Sequence, residues 1–146
     1  MKTSNYISFE FLSRSANEAF ARSAVACFAA QLDPTLDELG DIKTAVSEAV
    51  TNAIVHAYPD SLGKIVVRAQ ILEEHVLEIM VRDWGCGIPD VQRARTPMYT
   101  TGGEERSGMG FTIMESFMDR LSIYSKPGKG TRVTMRKSIL PRPSGL

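Results

Sequence analysis

Asp83 is followed by Trp84-Gly85-Cys86-Gly87-Ile88-Pro89, so a carboxylate at the end of a predicted strand is set beside two glycines. That pattern suits a planar ligand: it could approach the backbone with no Cβ in the way, and Asp83 would accept a hydrogen bond from an exocyclic amine. Further on, Arg106-Ser107-Gly108-Met109-Gly110-Phe111 opens a strongly apolar run, with Ser107 placed to cap a helix. Backbone N–H groups at a helix start lack intrahelical partners and favour anions, so this glycine-rich start suits phosphate oxygens, with Arg106 just before it. Earlier in the chain, Ser47-Glu48-Ala49-Val50-Thr51-Asn52-Ala53-Ile54-Val55-His56 carries a carboxylate and a carboxamide four residues apart, one helical turn on a single face. A polar helix stripe, an amine acceptor and an anion cradle, in that order within one short chain, together predict an ATP site.

Each segment alone has an ordinary explanation. Thr44, Glu48, Asn52 and His56 could be a solvated helix face, Asp83 an Asp-Gly turn leaving a strand, and Ser107 a cap on a buried helix. The ordered set carries the specificity. Other nucleotide signatures are missing: there is no Gly-x-x-x-x-Gly-Lys-[Ser/Thr] loop, no Gly-x-Gly-x-x-Gly after a strand and no His-Arg-Asp kinase loop.

The elements that must position these residues follow from periodicity. Ile42, Ala45, Val46, Ala49, Val50 and Ala53 recur at helical spacing, between a turn at Asp33-Pro34 and a stop at Pro59. Residues 65–71 and 76–82 read as an antiparallel hairpin around Glu73-Glu74-His75, and residues 121–124 and 131–135 as a second hairpin around Gly128-Lys129-Gly130. A first strand is expected near residues 5–11, and a helix over 108–120 carrying Phe111, Ile113, Met114, Phe117 and Met118. The aperiodic stretch of about 93–107, with Pro97, Thr100-Thr101 and Gly102-Gly103, reads as a lid. The expected architecture is an α/β two-layer sandwich: a mixed, mainly antiparallel sheet covered on one face by helices. Strand order is not legible.

A chain of 146 residues with 43% hydrophobic content fits one domain, residues 1–146, that folds without staples. Seventeen basic and seventeen acidic residues balance, which argues against direct contact with nucleic acid. The absence of an apolar leader or an apolar run near twenty residues predicts no membrane association and residence in the cytoplasm. Cys27 and Cys86 have no metal spacing and read as free thiols, and residues 141–146 as a disordered tail.

With these segments in view, the chain resembles the ATPase and kinase family that includes gyrase, the Hsp90 chaperone, the histidine kinases and MutL, whose fold is of the Bergerat type. The likeness is greatest to its small anti-sigma-factor kinases of spore-forming bacteria. It extends from Phe11-Leu12-Ser13-Arg14-Ser15-Ala16-Asn17-Glu18 through Gln31-Leu32-Asp33-Pro34-Thr35 to Gly108-Met109-Gly110-Phe111-Thr112-Ile113-Met114-Glu115. The resemblance implies ATP or ADP as ligand, with Asn52 helping to hold a magnesium ion and Glu48 as the base that takes the proton of an attacking hydroxyl. It further implies that Asp83 binds the adenine amino group, supported by Thr131, and that Gly87 admits the base. Gly108 and Gly110 would cradle phosphates, with Gly85, Ser107 and Met109 in the same nucleotide-binding set, while Arg106 reaches the terminal phosphoryl group. By the same likeness the partners are a sporulation sigma factor held by a nucleotide-loaded homodimer, and an anti-anti-sigma protein phosphorylated on serine. Arg22 stands at the partner-contacting position.

Two departures stand out: Trp84 beside Asp83, where a smaller or polar residue is commoner, and a short lid without lysine. They keep open a nucleotide-gated sigma-binding module without useful kinase turnover. A stress-response anti-sigma kinase shares the same pocket. A detached histidine-kinase catalytic domain is disfavoured, because neither His56 nor His75 lies in a helical dimerisation segment.

Overall fold

The structure is a computed structural model that describes residues 1–95 and 110–140. Five strands, β1 (Thr3–Leu12), β2 (Lys64–Leu72), β3 (Val76–Asp83), β4 (Arg120–Lys126) and β5 (Gly130–Ser138), form one sheet in the order β1-β2-β3-β5-β4. Every pairing between these strands is antiparallel, so the parallel component allowed for in a mixed sheet is absent among the described residues. The inversion of β4 and β5 places β5 beside β3, with Asp83 directly opposite Thr131. Two residues 48 positions apart in sequence thereby become cross-strand neighbours.

Helices α1 (Ala16–Ala29), α2 (Leu36–Asn52) and α4 (Gly110–Phe117) cover one face of the sheet. Alternation along the strands drives this. Ile65, Val67, Ala69 and Ile71 of β2 and Leu77, Ile79 and Val81 of β3 point inward and are buried against Ile42, Val46, Val50 and Met114. Each such aliphatic side chain contributes about 1.5–3 kcal/mol on burial. The opposite face carries Tyr6, Arg68, Arg82, Arg132, Arg136 and Tyr124, with Arg68 stacked over Tyr6 and Arg132 over Tyr124.

Helix α2 starts at a full capping box: the N–H of Glu38 donates to Thr35 Oγ1 and the N–H of Thr35 to Glu38 Oε1. It does not continue as an α-helix to Pro59. After Asn52 the chain widens into a π-type turn, Ala53–Ala57, of the kind often found at functional sites. The final helix is also shorter than its apolar run suggests. It ends at Phe117, and Arg120 opens β4 instead of closing the helix, because Asp119 turns back to β5, its N–H donating to Arg136 O and its carboxylate accepting from Ser138 N–H.

The predicted lid falls largely outside the described residues. Its first residues belong to a short helix, α3 (Val91–Ala94), capped by the Asp90 carboxylate. Arg95 then pairs with Glu115 of α4, with Nε donating at 2.8 Å. Arg106, Ser107, Gly108, Met109 and residues 141–146 lie outside the described residues.

Candidate nucleotide site

A pocket opens between the end of α2, the loop after β3, the start of α4 and the first residues of β5. Asn52, His56, Asp83, Gly87, Gly110 and Thr131 line it, together with apolar Ile88, Phe111 and Val133. Residues of the first two sequence segments, and Gly110 and Phe111 of the third, therefore line one cavity. Gly85 is not among the residues lining it.

Asp83 is one of two buried polar residues in the described chain, with 6% of its surface exposed. Its Oδ1 accepts from the N–H of Gly85 at 3.0 Å and from the N–H of Thr131 at 3.2 Å. No buried side-chain oxygen among the described residues lacks a partner, so Oδ2, for which no partner occurs among them, keeps its access to the pocket that Asp83 lines. Burial pushes the Asp83 carboxyl above the usual carboxylate range, against the opposing pull of the Gly85 and Thr131 N–H groups. The result is a fixed, partly desolvated acceptor with one oxygen anchored and the other presented.

Tyr58 holds the same strand end from behind, a role its position before Pro59 does not reveal. Its hydroxyl donates to Lys64 O at 2.7 Å and accepts from Trp84 N–H at 2.7 Å. Burial raises its pKa, opposed by the Trp84 bond and reinforced by the Asp83 charge. The Trp84 ring itself stands away from the pocket, 41% exposed, with Lys64 and Arg82 over its faces. It neither packs over the site nor covers its rim.

The glycines of the loop act differently from the sequence expectation. A Cβ on Gly85 would lie 2.2 Å from the Ala57 carbonyl oxygen, and one on Gly87, where φ is +77°, would lie 2.1 Å from the Lys126 carbonyl oxygen. Both glycines permit contact between protein backbones, and Gly87 alone also faces the cavity. Cys86 ties the same loop down, its N–H donating to Ala57 O and its Sγ to His56 O. At the other end, the side-chain amide of Asn52 lies against the Cα of Gly110.

The polar stripe of α2 is divided between two sites. Asn52 and His56 line the pocket, whereas Thr44 and Glu48 line a second, polar depression together with Arg22, Ser23, Lys43 and Ser47. There Glu18 bridges the helices, accepting from Ser47 Oγ and pairing with Arg22 at 3.4 Å. Glu48 is thus one turn from Asn52 but lines the same depression as Arg22. Sequence reasoning passed over Ser125 as well; its hydroxyl joins the loop to Thr131.

A family model for the histidine kinase-like ATPase domain matches residues 11–137. The chain belongs to that family, and its fold is of that kind. Among curated relatives, an anti-sigma F factor of Caldanaerobacter subterraneus subsp. tengcongensis is 56% identical over 140 residues, covering 95% of this chain and 97% of that one. The anti-sigma F factor of Geobacillus kaustophilus is 55% identical over 136 residues, covering 92% and 93% respectively. Solved structures share the fold at lower identity. The RsbU and RsbW domains of a Mycobacterium tuberculosis protein align with a TM-score of 0.67 and 20% identity, covering 96% of this chain and 34% of that one. A histidine kinase domain from an Erythrobacter litoralis blue-light activated kinase aligns at 0.59 and 22% identity, covering 84% and 60%. Among the described residues no helix is long and apolar enough to cross a membrane.

Proposed function

We propose that this chain is an anti-sigma factor and an ATP-dependent serine-protein kinase, which restrains a sporulation sigma factor, sigma F, and phosphorylates a serine of its anti-anti-sigma antagonist. The observation that carries the nucleotide part is Asp83: a buried carboxylate with one oxygen anchored by two backbone N–H groups and the other open to the pocket. The relatives at more than half identity, both named anti-sigma F factor, support the partner and the antagonist.

In this reading Asp83 accepts from the adenine amino group, and Gly87, Ile88 and Val133 enclose the base. Asn52 offers one hard oxygen donor at the α4 end, and no cluster of three His, Cys, Asp or Glu side chains suited to a metal occurs among the described residues. That donor set fits magnesium, which keeps several waters and takes much of its coordination from substrate phosphates. Bound MgATP supplies the phosphoryl group; the protein orients it and moves one proton. Glu48, one helical turn before Asn52, is the proton acceptor for the hydroxyl of the incoming protein where that hydroxyl meets the terminal phosphoryl group. Arg106, with Ser107, Gly108 and Met109, completes the phosphate end. The working form is a cytoplasmic homodimer.

The separation of Glu48 from the pocket also favours a second reading, a nucleotide-gated sigma-binding module without useful turnover. Incubating the purified chain with labelled ATP, magnesium and a candidate anti-anti-sigma protein separates the two. Label on a partner serine is the expected result; nucleotide-dependent sigma binding with no label would reject the kinase.

A further inference from the structure

Ser125 lies on the helix-facing side of β4, and its hydroxyl meets three groups at once. The N–H of Ile88 donates to Ser125 Oγ at 2.7 Å, Oγ lies 3.0 Å from the Gly130 carbonyl oxygen, and 2.7 Å from Thr131 Oγ1. A serine hydroxyl has one proton to give and two lone pairs to receive with. Two arrangements satisfy it. In one, Ser125 donates to Gly130 O and the Thr131 hydroxyl donates to Ser125, so Thr131 presents only lone pairs to the pocket. In the other, Ser125 donates to Thr131 Oγ1, and the Thr131 proton is released toward the pocket that Thr131 lines.

The second arrangement forfeits the Gly130 bond, and that loss is offset when a ligand acceptor beside Asp83 takes the Thr131 proton. Adenine has such an edge: the amino group at N6 donates and the adjacent ring nitrogen N1 accepts. Guanine reverses it, placing its O6 acceptor against the Asp83 carboxylate. Asp83 and Thr131 stand opposite one another on β3 and β5, so the two groups face one ligand edge.

We propose that Ser125 is a positioning residue for base recognition: it turns the Thr131 hydroxyl into a donor for N1, directly or through one water, while Asp83 Oδ2 accepts from the amino group. This rests on the nucleotide reading of the same pocket. Ser125 touches no ligand itself. It acts through Thr131 and through the loop it pins at Ile88.

The test compares ADP with 1-deaza-ADP, in which N1 is replaced by C–H, by calorimetry on the full chain. The parental protein is expected to bind ADP about tenfold more tightly, the worth of one hydrogen bond in a partly desolvated site. In Ser125→Ala, and in the nearly isosteric Ser125→Cys should the alanine variant fail to fold, that ratio should fall toward one; Ser125→Thr, which keeps the hydroxyl, should restore it. Equal weakening of both ligands with the ratio intact would mean that Ser125 only supports the loop, and would overturn the proposal. A parental ratio of one would overturn it too while leaving nucleotide binding standing, whereas no heat with either ligand would remove the nucleotide reading itself.

Discussion

The side-chain amide of Asn52 stands close over Gly110: a Cβ built on Gly110 would lie 2.9 Å from Asn52 Nδ2 and 3.1 Å from its Oδ1. The last residue of α2 thus occupies space that any side chain on the first residue of α4 would need. Gly110 has no unusual backbone angle, so alanine fits its conformation and is the better helix former. Gly110→Ala should therefore leave the melting temperature unchanged or slightly higher while pushing the Asn52 amide away. MgATP affinity, by calorimetry, should drop by roughly tenfold, the cost of about one lost polar contact. An unaltered affinity would detach Asn52 from the ligand.

Asp83→Asn should weaken ATP and ADP alike, by roughly tenfold or more, because the proposed contact is to the base and does not depend on phosphate number. Unequal losses would move Asp83 to the phosphate end.

The same substitution has a pH signature in the ligand-free protein. The folded-state pKa of Asp83 is raised above its unfolded value by burial, so between those two values the native state holds more protons than the unfolded one. This group's contribution to stability is then greatest below the unfolded pKa, falls as pH rises through the folded pKa, and is constant above it. Asp83→Asn, lacking that titration, should melt higher than the parent at neutral pH, with the gap closing in acid. A gap independent of pH would assign the effect to packing.

Glycine replacements should sort by backbone approach. Gly130, with φ at +103° and the Asp83 carbonyl oxygen 2.2 Å from a built Cβ, has no room, and Gly130→Ala should cost about 2 kcal/mol or more. Gly40, in the exposed part of α2 with nothing within 4 Å, should behave oppositely, Gly40→Ala gaining about 0.5–1 kcal/mol. Urea unfolding of the two variants checks both signs.

Glu48→Gln should retain nucleotide binding, since Glu48 lies outside the pocket lining, and lose phosphorylation of the partner serine. Transfer at the parental rate would show that Glu48 is not the proton acceptor.

Much of this was written locally in the chain. Alternation announced β2 and β3, the three-and-four spacing announced α2, and the Gly128-Lys129-Gly130 tract announced the β4–β5 turn, because each depends on neighbours a few residues apart. What depended on distant partners was silent. The strand order that sets Thr131 beside Asp83 is a long-range choice, and Tyr58 and Ser125 acquire their roles only when chain segments tens of residues away reach their hydroxyls. The π-type turn after Asn52 left no mark on the apolar periodicity, yet it follows directly on the residue that meets Gly110. Gly85 and Gly87 were recognisable as necessary; that their open side faces the Ala57 and Lys126 backbones required coordinates.

Trp84 is the chain's single tryptophan, and its amide is tied by Tyr58 to the strand end that carries Asp83. The molecule therefore contains one indole, which can be excited apart from its four tyrosines, one residue from the Asp83 carboxylate and outside the cavity lining. A change in its emission on adding nucleotide, read in unlabelled protein, would show that the strand end held by Tyr58 responds to the ligand.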